Sequence, residues 1–267
     1  MGGTPAENRL EAIRWLRGLE GRFSLKRPVF FVPGISNEDA AMWDSFFSWG
    51  ESVVGQWGSF AHRVLFPTGT SPAATFSDLG SSVRQQVAAV LSGMPNPAQA
   101  VDIVCYSMGG LDTFAALVDL TGNAGGQAPM PHVHHWIALD TPFHGFPNWD
   151  LRLKGGDMSD PAFPGRPTQC RAMAPESPLI NSLLKNRTAL AGKCDVLTCY
   201  SAGGETDIQV PRWSSNLCDD IKPGELWGTS PTYTWNLIDG AVHTGDYGIY
   251  AVEYVIASAL GLLLFDK

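Results

Sequence analysis

The segment V-D-I-V-C-Y-S-M-G-G, residues 101–110, constrains the fold of this chain more than any other. An apolar run ends abruptly at Ser107, and two glycines and a helical pattern follow it. A serine that acts as a nucleophile must project from a sharp turn between a strand and a helix, so its neighbours must be small. Gly109 meets this need, and Cys105 is small enough to replace the first glycine of the commoner G-x-S-x-G pattern. The segment predicts a nucleophile elbow, and the alternative is an ordinary strand-to-helix turn.

The composition favours a single α/β domain over residues 1–267, because 267 residues, 44% of them hydrophobic, can bury a substantial core. Only 16% of the residues are charged, whereas 29 are glycine and 19 are proline, which is typical of a compact enzyme with many loops. The net charge is −8, and no basic block stands out that could follow a phosphate backbone. Nucleic acid is therefore not expected as a partner.

Apolar runs rich in β-branched residues alternate along the chain with segments of helical period. The predicted strands span 28–32, 62–66, 101–106, 133–139, 196–200 and 235–238, and the predicted helices span 38–54, 76–91, 108–120 and part of 247–265. This order indicates an α/β fold with a doubly wound, mostly parallel sheet. The last segment is apolar, but it contains Glu253, and a helix is needed there to cover the sheet. We expect a buried helix and no integral membrane segment.

One segment, residues 141–175, does not follow this alternation. It is rich in proline, glycine, aspartate and aromatic residues without a clear period, and loops of this length in compact domains are usually functional or disordered. We predict a lid or substrate-binding insertion here, with Phe143, His144, Phe146 and Trp149 as substrate-binding residues. The alternative is a purely structural excursion.

A serine nucleophile needs a histidine base, and His243 is the best candidate. It lies in a loop between the last predicted strand and the terminal helix, from which it could reach the elbow. His144 is its rival, because the remaining histidines lie at or near strand starts, at the opposite end of a parallel sheet. His132 and His134 alternate as metal ligands can, but no nearby cysteine or carboxylate spacing completes a site, so no metal is expected.

The base needs a carboxylate to hold its tautomer, and the expected chain order is Ser, acid, His. We favour Asp207, on a glycine-supported loop after the strand that ends near Tyr200. Glu205 and Asp140 are the alternatives, and Asp140 lies at the end of the preceding strand.

The oxyanion of the tetrahedral intermediate needs amide donors. The expected donors are the amide of Met108, directly after the nucleophile, and that of Ile35, after the first apolar strand. Pro33 has no N–H and Gly34 supplies the turn. Each such donor typically contributes about 3 kcal/mol in the transition state.

Four motifs in order resemble the lipase and esterase branch of the α/β-hydrolase superfamily. V-P-G-I-S at 32–36 is similar to the family's oxyanion loop V-H-G-I-G, and C-Y-S-M-G-G at 105–110 to its elbow A-H-S-M-G-G. L-D-T-P-F-H-G at 139–145 resembles L-G-T-P-H-x-G, and A-P-E-S-P-L-I at 174–180 resembles a stretch that follows the lid. The resemblance implies a sheet of the α/β-hydrolase type with the lid-like insertion after its sixth strand.

The resemblance implies a triad of Ser107, Asp207 and His243, with Ile35 and Met108 as oxyanion donors and no cofactor. The expected activity is hydrolysis of carboxylic esters with apolar acyl groups through an acyl-enzyme on Ser107. The substrate would be a small-molecule, lipid or polyester ester. The alternatives are an acyltransferase on the same fold and a non-catalytic hydrolase-like binding protein.

The five cysteines bear on the compartment of the protein. Cys105 is expected to be a buried free thiol, which leaves Cys170, Cys194, Cys199 and Cys218 for at most two bridges. Residues 1–23 carry charges throughout and do not resemble a signal peptide. A native Met1 would favour the cytoplasm, whereas a Met1 that replaces a removed leader would favour secretion, and the composition leans slightly to secretion.

Overall fold

The computed structural model describes twelve stretches of the chain: 13–15, 17–18, 23–35, 41–66, 74–95, 100–118, 129–146, 167–202, 210–217, 232–238, 240–243 and 248–265. Within them, the strands are β1 (Val29–Val32), β2 (Ala61–Arg63), β3 (Ala100–Tyr106), β4 (His132–Leu139), β5 (Cys194–Ala202) and β6 (Thr232–Ile238). The six strands form one parallel sheet in the order β2-β1-β3-β4-β5-β6. The predicted parallel α/β sheet is therefore confirmed.

Residues 13–15 and 17 are helical, and eight further α-helices have both ends within the described residues. They are α1 (Asp44–Val53), α2 (Trp57–Phe60), α3 (Phe76–Ser92), α4 (Met108–Val118), α5 (Pro167–Ala172), α6 (Pro178–Lys185), α7 (Arg212–Ser215) and α8 (Glu253–Phe265). The helix predicted over 38–54 is a 3₁₀ turn at Ala41–Trp43 followed by α1, and residues 36–40 lie outside the described part. The predictions for α3 and α4 hold to within two residues where those helices are described.

Both faces of the sheet are covered, which explains why the consecutive residues from Ile103 to Tyr106 in the central strand β3 are all buried. In β3, Ile103 and Cys105 face one hydrophobic cluster with residues of α3 and α4. Val104 and Tyr106 face a second cluster with residues of α1 and α8. Strands buried on both faces are typical of parallel sheets.

The terminal helix α8 packs on the sheet, as predicted. Its residues Val255, Ile256, Leu260 and Leu263 are buried in the second cluster. In the part of the chain that the structure describes, no helix combines the length and the hydropathy needed to cross a membrane.

The side chain of Asp102 lies where the register between the central strands β3 and β4 shifts, near their amino ends, and it bonds to both β4 and Arg27. The ladder shifts between Val101 and Ile103, and the Asp102 carboxylate there accepts the His135 amide at 2.9 Å. Arg27 Nε donates to both Asp102 oxygens at 3.1 Å. Beyond the shift the pairing is regular and ends with Tyr106 opposite Leu139.

The segment predicted as a lid, residues 141–175, follows β4, which is the fourth described strand rather than a sixth. Its described parts are the turn at 141–146 and the stretch from α5 onward, and residues 147–166 lie outside the described residues. In α5, the buried Gln169 donates through Nε2 to the Ala74 carbonyl at 2.6 Å, and this bond ties the segment to the start of α3.

Asp112 in α4 is a buried acid that makes the stability of the protein depend on pH. It is fully buried, and its carboxylate oxygens have no hydrogen-bond partner within the described stretches. Burial raises the pKa of Asp112 well above its usual range, so the folded protein keeps the proton that the unfolded chain releases above a pH of about 4. Protonated Asp112 therefore makes its full contribution to stability below that pH. The contribution is lost as the pH rises through the raised pKa of Asp112 in the folded state.

We predict that Asp112→Asn changes the free energy of unfolding little at pH 4 and raises it by about 1 kcal/mol or more at pH 8. Urea denaturation at the two pH values measures the difference. Glu51→Gln, an exposed change on α1, is the control and should show no such pH-dependent gain. An equal effect of Asp112→Asn at both pH values would contradict the prediction.

Candidate active site

Ser107 occupies a sharp turn at the carboxyl end of β3. The strand ends at Tyr106, α4 begins at Met108, and Ser107 between them has a φ of 51°. This left-handed conformation is uncommon for a residue with a side chain and costs about 1–3 kcal/mol. The Ser107 amide donates to the Leu139 carbonyl of β4 at 2.9 Å, which holds the turn against the neighbouring strand. The predicted strand–turn–helix geometry is therefore present.

Glycines let three backbone segments meet at this turn. A Cβ atom on Gly109 would lie 2.3 Å from the Pro33 carbonyl oxygen, and one on Gly110 would lie 2.0 Å from Thr141 Oγ1. A Cβ atom on Gly34 would lie 3.0 Å from Ser107 Cβ. The loop after β1 and the turn after β4 therefore both lie against the elbow.

The structure brings His243 to Ser107. Ser107 Oγ and His243 Nε2 are 2.9 Å apart, and both residues are buried. At this distance the hydroxyl can donate its proton to the imidazole, which is the arrangement that general-base activation of a serine requires.

The carboxylate on the other side of the imidazole belongs to Asp140. Its Oδ2 lies 2.6 Å from His243 Nδ1, and its Oδ1 accepts the Ala202 amide at 3.2 Å. Asp140 follows β4 directly, has a φ of 49° and is fully buried. Its own amide donates to the Tyr200 carbonyl of β5 at 2.7 Å. Asp140 is thus held between two strands and can fix the tautomer of His243.

The hydrogen bonds of His243 bear on the choice of acid. The sequence favours Asp207, with Glu205 and Asp140 as alternatives; Asp207 and Glu205 lie outside the described residues, and in the structure Nδ1 of His243 lies 2.6 Å from Asp140 Oδ2. The register of the sheet explains why Asp140 reaches the site. Since Tyr106 pairs with Leu139, the residues that follow them lie side by side at the same edge of the sheet. The position of Asp140 directly after an apolar strand, like that of Ser107, was the available signal.

Cys105, two residues before Ser107, is not placed to act as a nucleophile. Its thiol is free and fully buried, and it accepts a hydrogen bond from Trp136 Nε1 at 3.1 Å. Burial raises the pKa of the Cys105 thiol to about 12, which suppresses the reactive thiolate. Cys194 is likewise a free buried thiol, and Cys218 lies outside the described residues.

The predicted substrate-binding residues occupy different surroundings. Phe143 and Phe146 are buried in the first cluster, where the Phe143 ring lies 5.8 Å from that of Trp136. His144 donates through Nε2 to the Asn216 carbonyl at 3.0 Å. This bond occupies a ring nitrogen that His144 could otherwise use as the base in place of His243. Trp149 lies outside the described residues. Phe143 and Phe146 therefore belong to the hydrophobic core of the fold.

The alternating histidines of β4 lie far along the strand from Ser107. His132 Nε2 is 2.9 Å and His134 Nδ1 is 2.6 Å from the two oxygens of Asp195 in β5. The described residues contain no group of three or more His, Cys, Asp or Glu side chains arranged to hold a metal ion.

The parallel sheet, with a strained serine turn at the end of a central strand, is the α/β-hydrolase fold. No protein-family model and no curated protein matches the sequence. Among solved structures, the chain is similar to the phospholipase PlaB from Legionella pneumophila, with a TM-score of 0.67 and 14% identity over 91% of this chain. The match covers 60% of the PlaB chain, so this chain spans less than two thirds of that protein.

Two other similar structures match along nearly their whole length. The mature lipase BlEst2 from Bacillus licheniformis has a TM-score of 0.59 and 17% identity, with 90% of this chain and 93% of that one covered. The α/β hydrolase GrgF from Penicillium sp. sh18 has a TM-score of 0.54 and 13% identity, with 90% and 91% covered. At these identities the similarity establishes the fold, and the chemistry must be argued from the site.

The glycine contacts make a direct prediction. Gly109→Ala would place a methyl group against the backbone of the loop after β1, which cannot rotate away as a side chain could. We expect the free energy of unfolding to fall by about 1–3 kcal/mol, the usual cost of overpacking.

Urea denaturation measures the change, and Gly58→Ala in α2 is the matched control. A Cβ atom on Gly58 would meet nothing within 4 Å, so its replacement should be neutral or slightly stabilising. Equal stability of the two variants would show that the elbow tolerates a side chain at Gly109.

Proposed function

We propose that this protein hydrolyses carboxylic esters with apolar acyl groups through an acyl-enzyme on Ser107. The observation that carries the proposal is the unbroken chain of hydrogen bonds from Ser107 through His243 to Asp140, with distances of 2.9 and 2.6 Å. The serine, the base and the acid come from the ends of two neighbouring strands and one loop, which is how this fold assembles a nucleophile.

In the proposed reaction, His243 Nε2 accepts the Ser107 hydroxyl proton while Oγ attacks the ester carbonyl carbon. Asp140 stabilises the imidazolium that results and keeps the proton on Nδ1. The imidazolium then gives its proton to the leaving alkoxide, and the acyl-enzyme forms. Water, deprotonated by the same imidazole, releases the acid and restores Ser107. These steps use only side chains, backbone amides and water, so the proposed reaction needs no cofactor.

The backbone amides of Met108 and Ile35 are the proposed oxyanion donors. Met108 is the first residue of α4, and the amides at a helix amino end favour negative charge. Ile35 follows Gly34, whose close approach to Ser107 brings this loop beside the nucleophile. The loop and the helix end would therefore hold the oxyanion from two sides.

The preference for apolar acyl groups rests on the surroundings of the site and on the neighbours. Trp213 on α7 is 46% exposed, and its ring lies 6.5 Å from that of His144, in the turn after Asp140. The similar structures include a phospholipase and a lipase by name. We propose that residues 141–175 form the substrate-binding insertion of one α/β-hydrolase domain.

A series of p-nitrophenyl esters from two to sixteen carbons tests the proposal, with wild type beside Ser107→Ala. We expect the substitution to abolish hydrolysis, since the nucleophile is removed, and the wild type to prefer medium or long chains. Ser92→Ala, an exposed serine at the end of α3, is the control and should keep full activity. Absence of hydrolysis by the wild-type protein across the series would reject the proposal.

Replacement of the carboxylates discriminates between the candidate acids. Asp140→Asn should lower kcat by about 10³- to 10⁴-fold, because an amide cannot hold the required tautomer or stabilise the imidazolium. Asp207→Asn and Glu205→Gln should retain kcat within about twofold of wild type, since the Nδ1 position is already occupied. Steady-state kinetics measure this, and loss of activity in Asp207→Asn with retention in Asp140→Asn would reverse the assignment.

A further inference from the structure

Tyr106, the residue before the nucleophile, makes two contacts with the catalytic histidine candidate. It is the last residue of β3, and its side chain points away from the α3 and α4 face into the second cluster. Its hydroxyl donates to the backbone carbonyl oxygen of His243 at 2.6 Å. A buried tyrosine hydroxyl needs such a partner, and this one joins residues 137 positions apart.

The ring of Tyr106 also lies against the imidazole. The two ring centroids are 5.0 Å apart with an angle of 32° between the planes, and Tyr250 packs edge-on against Tyr106 at 4.9 Å. An aromatic face within about 6 Å of a cation attracts it, so this ring favours the imidazolium that exists only after proton transfer.

The contacts of the His243 side chain depend on the position of its main chain. The Nε2 and Nδ1 atoms of His243 face Ser107 and Asp140, and both contacts depend on where the backbone places the ring. The carbonyl of Val242, the residue before His243, accepts a hydrogen bond from the Ile249 amide at 2.9 Å. This bond ties the loop to the residues just before α8. Within the described residues, Tyr106 provides the contact between the backbone of His243 and the strand that carries Ser107.

We propose that Tyr106 is a positioning residue for the reaction: its hydroxyl sets the distance between Ser107 and His243, and its ring stabilises the imidazolium. The inference rests on the proposed function and adds a residue to it. Because Tyr106 and Ser107 are adjacent, one strand end holds both the nucleophile and the anchor of the base. Tyr106 is buried and acts through His243, so its loss should lower kcat and leave KM nearly unchanged.

Tyr106→Phe tests the hydroxyl, because it keeps the ring and removes only the anchor. We expect kcat for p-nitrophenyl esters to fall about 10-fold with KM within about twofold of wild type, the size of effect that displaced catalytic groups produce. The rate of covalent labelling by a fluorophosphonate should fall by a similar factor. Counting kcat per labelled serine removes any contribution from unfolded protein.

Tyr106→Leu tests the ring and should lower kcat further than Tyr106→Phe. Tyr250→Phe is the matched control, since it removes one phenolic hydroxyl from a ring that touches Tyr106 and not His243, and it should keep kcat and the labelling rate. Unchanged kcat in Tyr106→Phe, or an equal loss in Tyr250→Phe, would overturn the inference while leaving the proposed function intact. A wild-type protein that is inert to esters and fluorophosphonate would overturn the proposed function itself.

Discussion

The register between β3 and β4 is the constraint on which the candidate site depends. Tyr106 pairs with Leu139, so Ser107 and Asp140 leave the sheet side by side. Each amide donates to the next strand, Ser107 to Leu139 and Asp140 to Tyr200, and each residue then turns with a positive φ. The hydrogen bonds to the neighbouring strands hold Ser107 and Asp140 in backbone conformations that would be unfavourable in isolation. A shift of one residue would separate the serine from the carboxylate and leave His243 unable to bridge them.

The two-sided burial of the sheet places the parts of the site in different environments. Successive side chains at the end of β3 face opposite clusters, so the Cys105 thiol is sealed in one and the Tyr106 ring lies against the imidazole on the other. Ser107 follows them at the edge, where the strand pattern has ended. Because successive side chains of a strand point to opposite faces of the sheet, the same pattern buries the Cys105 thiol, whose pKa is raised, and brings Tyr106 to His243.

Much of this organisation could be predicted from the sequence, because it is local. Apolar runs and helical periods located all six described strands to within a few residues, and the small residues around Ser107 predicted the elbow. The position of His243, in a loop after the last predicted strand, indicated it as the candidate base. The acid was different: Asp140 and Asp207 both follow strands and both precede His243, so neither periodicity nor order discriminates between them. The role of Tyr106 was not predicted either, since its partner is remote in the chain.

The sequence by itself determined the alternation of strands and helices, and with it a parallel sheet and a serine at a strand-to-helix turn, because these follow from side-chain size and hydropathy along adjacent residues. Only the tertiary structure decided that Asp140 is the carboxylate at His243, that Phe143 is buried in the core and that Tyr106 anchors the backbone of His243. Those contacts depend on interstrand register and on the path of a remote loop. Both are set by how the whole chain packs and by no property of any one segment.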